Sequence, residues 1–437
     1  MLSSMTDPTH EVFKIKGLSG KRKLEGIIPV YGAKNAVLKM LAASPLFANP
    51  LTISNVPEIE DVHRSYELLE ALGATRVFDD KRNVTITVPK KMITDLPTDI
   101  AKQFRASVVF TGPLLARYGK VSFPHPGGCV LGGRPIDVFL TAYEKLGATI
   151  THKNERYYIS APKGLTGGHI HFRIPSVTGT ETVLMAASLA KGKTVLRNAA
   201  MEPEVVSLAN FLQDSGVKIE GIGTPTLTIY GTNGKPLTAK KAYVTIPDRI
   251  EAGSFVVLAA LLGKDVTITN CVPEHFESLL EHVKEMGVHF ETTKNSVRIF
   301  GNEKTILKPV HIKTHEYPGF PTDLQSPMLV ALTQAKGEST VWETIFEDRL
   351  RYTEGLQNMG ANITTMNPLQ VLVRGKTVLR AKELQSPDLR AGIAFVIAAA
   401  LATGTSTIGN VYNIDRGYEN LDERLRAIGL SITRHTE

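Results

Sequence analysis

LLEALGATRV, residues 68–77, ends a hydrophobic helical pattern on Gly73 and continues as an alternating strand. A glycine just past a helix supplies the positive φ that this position needs, and the hydrophobic period drops to two beyond it. The stretch is predicted to be a helix-to-strand junction. It recurs as AYEKLGATIT (142–151), FLQDSGVKIE (211–220), HVKEMGVHFE (282–291), LQNMGANITT (356–365) and LRAIGLSITR (425–434). The glycines are Gly73, Gly147, Gly216, Gly287, Gly360 and Gly429, so successive copies lie 69 to 74 residues apart.

The segments ahead of the junctions repeat as well. An apolar helix is predicted in NAVLKMLAASPLFA (35–48), SVVFTGPLLARYG (107–119), ETVLMAASLAKG (181–192), GSFVVLAALLGK (253–264), QSPMLVALTQAKG (325–337) and AGIAFVIAAALATG (391–404). A strand follows each, as in LTISNV, KTVLRNA, DVTITN, STVWET and STIGNV; KVSFPHP is the least regular. A second, amphipathic helix then leads to the next junction. Six α-β-α-β repeats indicate internal duplication. Helices apolar nearly all round must be buried, while the amphipathic ones lie outside. Six buried helices fill two cores of three, so the expected fold is α/β with two lobes of three repeats each.

Composition narrows the function. Two cysteines in 437 residues make no disulfide framework and point to a reducing compartment. MLSSMTDPTHE at the start has neither a basic region nor an apolar core, so a short disordered tail is expected rather than a signal peptide. The apolar run at 391–402 is too short for a bilayer span. A soluble cytoplasmic protein is expected. The net charge is +7, but the basic residues are scattered without an aromatic-interleaved stripe. That pattern favours a phosphate-rich small ligand over nucleic acid.

One of the two cysteines stands in PGGCVLGGRPID (126–137), among four glycines and two prolines. Free cysteine is most often a small buried hydrophobe. A glycine-rich loop packs poorly, however, and a thiol there can meet a substrate and have its pKa tuned by cations such as Arg134. Cys271, in TNCVPE after a strand, has no such setting and reads as structural. GIGTPT (221–226) lacks the third glycine of a dinucleotide fingerprint. His169 and His171 share a strand face without further ligands nearby, so no metal is expected.

Eight motifs in order, YGAKNA (31–36), RAS (105–107), PGGCVLGGRPID, PDRIEAG (247–253), FPTD (320–323), FEDR (346–349), DLRA (388–391) and NIDRGYE (413–419), resemble the enolpyruvyl transferases, in particular the branch acting on UDP-N-acetylglucosamine. The resemblance runs from about residue 12 to the C-terminus. It implies two inside-out α/β barrels, one of residues 34–247 and one of 1–33 with 248–437. It implies transfer of the enolpyruvyl group of phosphoenolpyruvate to a sugar 3-hydroxyl, with release of phosphate and without a cofactor. The implied substrates are phosphoenolpyruvate and UDP-N-acetylglucosamine. No nucleic acid, no membrane, and a monomer or weak homo-oligomer complete the expectation.

The same resemblance assigns residues. Cys129 protonates the methylene carbon of phosphoenolpyruvate and is the target of a fosfomycin-type epoxide. Lys34 takes part in catalysis and, with Asn35, Arg134, Asp388, Arg390 and Arg416, contacts phosphoenolpyruvate. Asp323 acts on the attacking hydroxyl as base or orienter. Arg105, Arg134, Pro135, Ile136, Asp137, Val138, Ser176, Val177, Asp323 and Ile345 hold the nucleotide sugar, and Arg349 belongs to the surrounding shell. Read without the resemblance, Lys34 is a solvated helix-start lysine and Asp323 an N-cap. Asp388 and Arg390 are then a structural ion pair, and Arg416 pairs with Asp415 or Glu419. Two positions depart from the branch. SVTGTET (176–182) has Thr178 where glycine is usual, and AAMEPE (199–204) has Met201 where arginine is usual. Acceptors such as another nucleotide or shikimate phosphate, and a non-catalytic anion or nucleic-acid binder, stay open at this point.

Overall fold

The computed structural model describes residues 11–79, 81–125, 136–302 and 304–436. They form two compact units. Of the described residues, those up to Tyr31 and from Pro247 onward form a terminal unit, and those between Gly32 and Ile246 form a middle unit. Cys129, Arg134 and Pro135 lie outside the described residues.

Each unit is built on three buried helices. In the middle unit they are Lys34–Ala43, Thr111–Tyr118 and Val177–Ser188; the second follows a 3-10 segment, Arg105–Phe110. In the terminal unit they are Arg249–Leu262, Gln325–Leu332 and Leu389–Leu401. All fourteen residues of Arg249–Leu262 and all thirteen of Leu389–Leu401 are buried. At about 1.5–3 kcal/mol for each large apolar side chain, this burial is the main stabilising term of the unit. The outer helices, such as Glu60–Ala71 and Glu277–Glu285, bury one face only. No helix among the described residues is long and apolar enough to cross a membrane.

The sheets share one plan. The strand after a buried helix is central. A parallel edge strand lies on one side and an antiparallel hairpin on the other. In the third repeat the order is Lys218–Glu220, Thr226–Tyr230, Lys193–Arg197, His169–His171. The second repeat has three strands. Residues 94–96 stand at its parallel edge, with Leu96 N donating to Ser122 O and Ser122 N to Thr94 O, each at 2.9 Å. The sixth repeat borrows its second hairpin strand. Glu11–Lys16 lies antiparallel between Thr405–Gly409 and Ser431–Thr436, with Ile15 opposite both Ser406 and Ile432. The edge strands of the first and fourth repeats are Tyr243–Val244 and Leu24–Pro29, each just before the chain passes to the other unit. These are six separate open sheets, and no ring of strands closes among the described residues. The observed fold is therefore mixed α/β, a coarser result than the barrels implied by the resemblance.

All six junction glycines have positive φ, from +89° at Gly147 and Gly287 to +113° at Gly216. A second punctuation mark recurs that the sequence reading passed over. Asn55, Asn198, Asn270 and Asn410 end central strands with φ of +54° to +58°. Asparagine tolerates this region because its short amide bonds locally. Here Asn55 Nδ2 donates to Thr245 O and Asn198 Nδ2 to Phe172 O, both at 2.9 Å, tying the central strand to its parallel edge.

Candidate active site

Helix starts carry most of the expected residues, because a helix leaves its first N–H groups without intrahelical partners and concentrates positive potential there. In the middle unit, Lys34 and Asn35 are the first two residues of Lys34–Ala43, whose N-cap Ala33 provides no side-chain acceptor. Lys34 is 9% exposed and its Nζ lies 2.8 Å from Asp61 Oδ2 on the outer helix. It is thus a buried, ion-paired lysine, not the solvated one expected without the resemblance. Asp61 was missed by sequence reading; the acidic start of the outer helices was the available signal.

Five residues further, Lys39 enters the core. Its Nζ lies 2.9 Å from Glu181 Oε2 and donates to Asn35 O at 3.1 Å. This joins the start of the first buried helix to the third. Burial pushes the Glu181 carboxyl up to about 7, against the opposing pull of Lys39 and with help from Glu204 and Glu202. No sequence signal pointed to this pair.

Ser176 caps the third buried helix, its Oγ accepting from Gly179 N at 3.0 Å. The hydroxyl is therefore engaged in capping, and Val177 occupies the first helical turn. Thr178, where the related branch has glycine, is half-buried, while the next residue, Gly179, is buried. A Cβ on Gly179 would lie 3.0 Å from Ser176 Oγ and 3.2 Å from Val138 Cγ1. Val138 and Ile136 are buried, and their side chains belong to the core of the middle unit. Asp137 is exposed and pairs with Arg173 at 2.7 Å. Arg105 opens the 3-10 segment ahead of the second buried helix and is partly exposed.

The terminal unit gathers a tighter cluster. Asp323 sits in the 3-10 turn Thr322–Leu324 ahead of Gln325–Leu332. Its Oδ1 accepts from Arg349 Nη2 at 2.7 Å and its Oδ2 from Arg390 Nη2 at 2.8 Å. The carboxylate is held by two buried guanidiniums. The side chain keeps 26% exposure, enough for a ligand hydroxyl to reach it. Burial opposes the charge on Arg390, but Asp323, Tyr418 and Asp248 outweigh it and move its pKa above the ordinary arginine value.

Asp388 caps the sixth buried helix, its Oδ1 accepting from Arg390 N at 2.7 Å and Ala391 N at 3.0 Å. The side-chain ion pair of Arg390 runs to Asp323 and not, as the bare sequence suggested, to Asp388. Ile345 is placed by Glu343. One oxygen of this buried carboxylate accepts from Ile345 N, Phe346 N and Thr314 Oγ1, and the other from Thr322 Oγ1 beside Asp323. Glu343 had no sequence signal beyond its place at a strand end. Arg416 follows the short helix Tyr412–Asp415. Asp415 gives both its oxygens to Arg434, at 2.7 and 2.8 Å. Cys271 is buried and its thiol is pushed up to about 11 by burial, as a structural cysteine would be.

Asp323, Arg349 and Arg390 thus meet within hydrogen-bond distance in one unit, and Lys34, Asn35, Ser176 and Val177 stand at two helix starts of the other. Compared with known sequences, residues 18–425 match the profile of the EPSP synthase (3-phosphoshikimate 1-carboxyvinyltransferase) family. The chain belongs to the EPSP synthase family. Three curated relatives are all named UDP-N-acetylglucosamine 1-carboxyvinyltransferase. The protein of Campylobacter fetus is 42% identical over 420 residues, that of Campylobacter hominis 44% over 420, and that of Magnetococcus marinus 43% over 415. The alignments cover 95–96% of this chain and 98–99% of those proteins. Among solved structures, the enolpyruvyl transferase NikO from Streptomyces tendae superposes with a TM-score of 0.86 at 22% identity, over 98% of this chain and all of that one. An EPSP synthase from Acinetobacter baumannii gives 0.75 at 19% identity, over 97% of this chain and all of that one. These two likenesses establish the EPSP synthase fold for the chain.

Proposed function

We propose that this chain is a UDP-N-acetylglucosamine 1-carboxyvinyltransferase. It moves the enolpyruvyl group of phosphoenolpyruvate to the 3-hydroxyl of UDP-N-acetylglucosamine and releases phosphate, the first committed step of peptidoglycan synthesis. The supporting observation is 42–44% identity, over nearly the full length of both partners, to proteins of that name. The work is done in the cytoplasm on two small anionic substrates. Three sheets and three buried helices in each unit read as an inside-out α/β barrel.

In this reading the reaction is an addition followed by an elimination. Asp323 takes a hydrogen bond from the sugar 3-hydroxyl and orients its oxygen toward C2 of phosphoenolpyruvate. Two guanidiniums fix the direction of the carboxylate, so the hydroxyl is held before it reacts. Oxygen bonds to C2 and its proton passes to Asp323, while Cys129 gives its proton to C3, producing a tetrahedral adduct and a thiolate. Return of a C3 proton to the Cys129 thiolate, and loss from C2 of phosphate, which takes the proton held by Asp323, then restore the alkene and both groups. The C–O bond breaks and phosphorus is never attacked. Lys34, Arg134, Arg390 and Arg416 supply cationic donors to the phosphate and carboxylate. Arg105, Pro135, Ile136, Asp137, Val138, Ser176, Val177 and Ile345 hold the nucleotide sugar, while Asn35 and Asp388 keep the helix starts in place.

Phosphate release is the assay. The chain, given phosphoenolpyruvate with UDP-N-acetylglucosamine, UDP-N-acetylgalactosamine, UMP or shikimate 3-phosphate in turn, is expected to turn over the first by far the fastest. Cys129→Ala and Asp323→Ala are expected to abolish that turnover. Wild-type rates in both variants, or preference for shikimate 3-phosphate, overturn the reading.

A further inference from the structure

The turn that carries Asp323 is held differently from the other helix starts of its unit. Asp248 and Asp388 each cap the buried helix they precede, accepting from backbone N–H groups of its first turn. Asp323 does not: neither the turn Thr322–Leu324 nor the helix Gln325–Leu332 has a side-chain cap. Its carboxylate is engaged with Arg349 and Arg390 instead. The turn is tied from outside through Thr322, whose Oγ1 donates to Glu343 Oε2 at 2.8 Å.

Glu343 follows the central strand Gly337–Trp342 and is fully buried. Its other oxygen, Oε1, accepts from Ile345 N at 2.8 Å, Phe346 N at 3.1 Å and Thr314 Oγ1 at 3.0 Å. Thr314 Oγ1 accepts in turn from Thr344 N at 2.8 Å, which leaves its hydrogen for Glu343. A buried charge is costly unless hydrogen bonds replace its lost water. Here donors from three separate segments converge on one carboxylate, so its place is strongly determined. Asp323 and Ile345, the two nucleotide-sugar residues of this unit, are both linked to it. Ile345 is bonded through its own N–H, and Asp323 is linked through its neighbour Thr322.

We propose that Glu343 is a positioning residue for the acceptor sugar: its single carboxylate fixes the turn of Asp323 against the loop of Ile345, and so sets the geometry in which the sugar and its 3-hydroxyl are received. This rests on the reading of Asp323 and Ile345 given under the proposed function. Without Glu343 the two segments lose their common anchor, and the sugar must order them on binding.

The test separates the two substrates. Glu343→Leu is expected to raise the KM for UDP-N-acetylglucosamine on the order of tenfold, with the KM for phosphoenolpyruvate changed far less. Glu343→Gln keeps an acceptor for Ile345 N, Phe346 N and Thr314 Oγ1, and its amide can donate to Thr322 Oγ1; it is expected to stay within about threefold of the wild type. If Glu343→Leu does not fold, Thr322→Val is read in its place. It cuts only the link to the Asp323 turn and is expected to show a smaller rise in the same parameter. Thr322→Val combined with Glu343→Gln is expected to lose no more than Thr322→Val alone, since both act on one contact. Calorimetric binding of UDP-N-acetylglucosamine to each variant gives the comparison without turnover. A wild type that binds the nucleotide sugar but forms no product counts against the proposed function alone, and one that does not bind it overturns both. An unchanged nucleotide-sugar affinity in Glu343→Leu or Thr322→Val, an equal loss for both substrates, or a Gln variant as weak as the Leu variant overturns the role of Glu343.

Discussion

Lys39→Met probes how the middle unit holds two of its buried helices, Lys34–Ala43 and Val177–Ser188, together. Lys39 is 6% exposed and Glu181 fully buried, and Glu181 Oε1 has no hydrogen-bond partner among the described residues. Burial pushes the Glu181 carboxyl from 4.5 up to about 7, while Lys39 pulls the other way. A carboxyl raised on folding binds its proton more tightly in the folded chain than in the unfolded one. Its contribution to stability is therefore fully present below pH 4.5 and is lost as pH rises to about 7, a difference of about 3 kcal/mol at 1.36 kcal/mol per pH unit. Above pH 7 the ionised pair in the wild type adds no further slope. Without Lys39 the folded pKa climbs higher, so the variant keeps losing stability above pH 7. Breaking a buried pair from one side costs about 3–5 kcal/mol when the other charge remains. That figure applies near pH 8, and at pH 6 Glu181 escapes by protonation. For a unit of this size 1 kcal/mol moves a melting transition by about 2–4 °C. Calorimetry should show a drop on the order of 10 °C at pH 8 and a much smaller one at pH 6. An equal drop at both pH values, or none at pH 8, refutes the assignment of Glu181 as a titrating partner.

Other consequences are simpler to measure. Asp388→Ala removes the acceptor for Arg390 N and Ala391 N and should lower stability by about 1–2 kcal/mol in denaturant melts, with Asp388→Ser recovering most of it. Gly216→Ala meets only backbone strain, because φ is +113° and nothing stands within 4 Å of a new Cβ, so about 1 kcal/mol is expected. Gly231→Ala would bring its Cβ to 2.1 Å from Ala190 O and should cost about 3 kcal/mol or more, or prevent folding. A phosphoenolpyruvate-mimicking epoxide is expected to add one mass increment, mapped by peptide analysis to Cys129, with Cys271 spared because it is buried and its thiol is pushed up to about 11.

The repeat was legible because it is written in local chemistry. Each junction needs a residue that accepts positive φ, and glycine at six regular positions is a signal visible without tertiary knowledge. The buried helices were legible for a similar reason, since a helix apolar all round has nowhere else to go. Strand pairing was less so. That Glu11–Lys16 would pair with both Thr405–Gly409 and Ser431–Thr436 depends on contacts between distant parts of the chain, which periodicity does not encode. The site divides along the same line. Asp323 and Asp388 were both found as acids at helix starts, yet only tertiary geometry separates them: Asp388 caps its helix, whereas Asp323 faces Arg349 and Arg390. Asp61, Glu181, Glu343 and Arg434 went unremarked because each acquires its meaning from a partner far away in sequence.

The most direct measurement is the product itself. Incubation of the purified chain with phosphoenolpyruvate and UDP-N-acetylglucosamine, followed by proton NMR and mass analysis, should yield the 3-O-enolpyruvyl ether, with its vinyl methylene pair, and one phosphate per ether formed. Phosphate without the ether, or an ether formed with shikimate 3-phosphate while UDP-N-acetylglucosamine is left unchanged, would contradict the assignment.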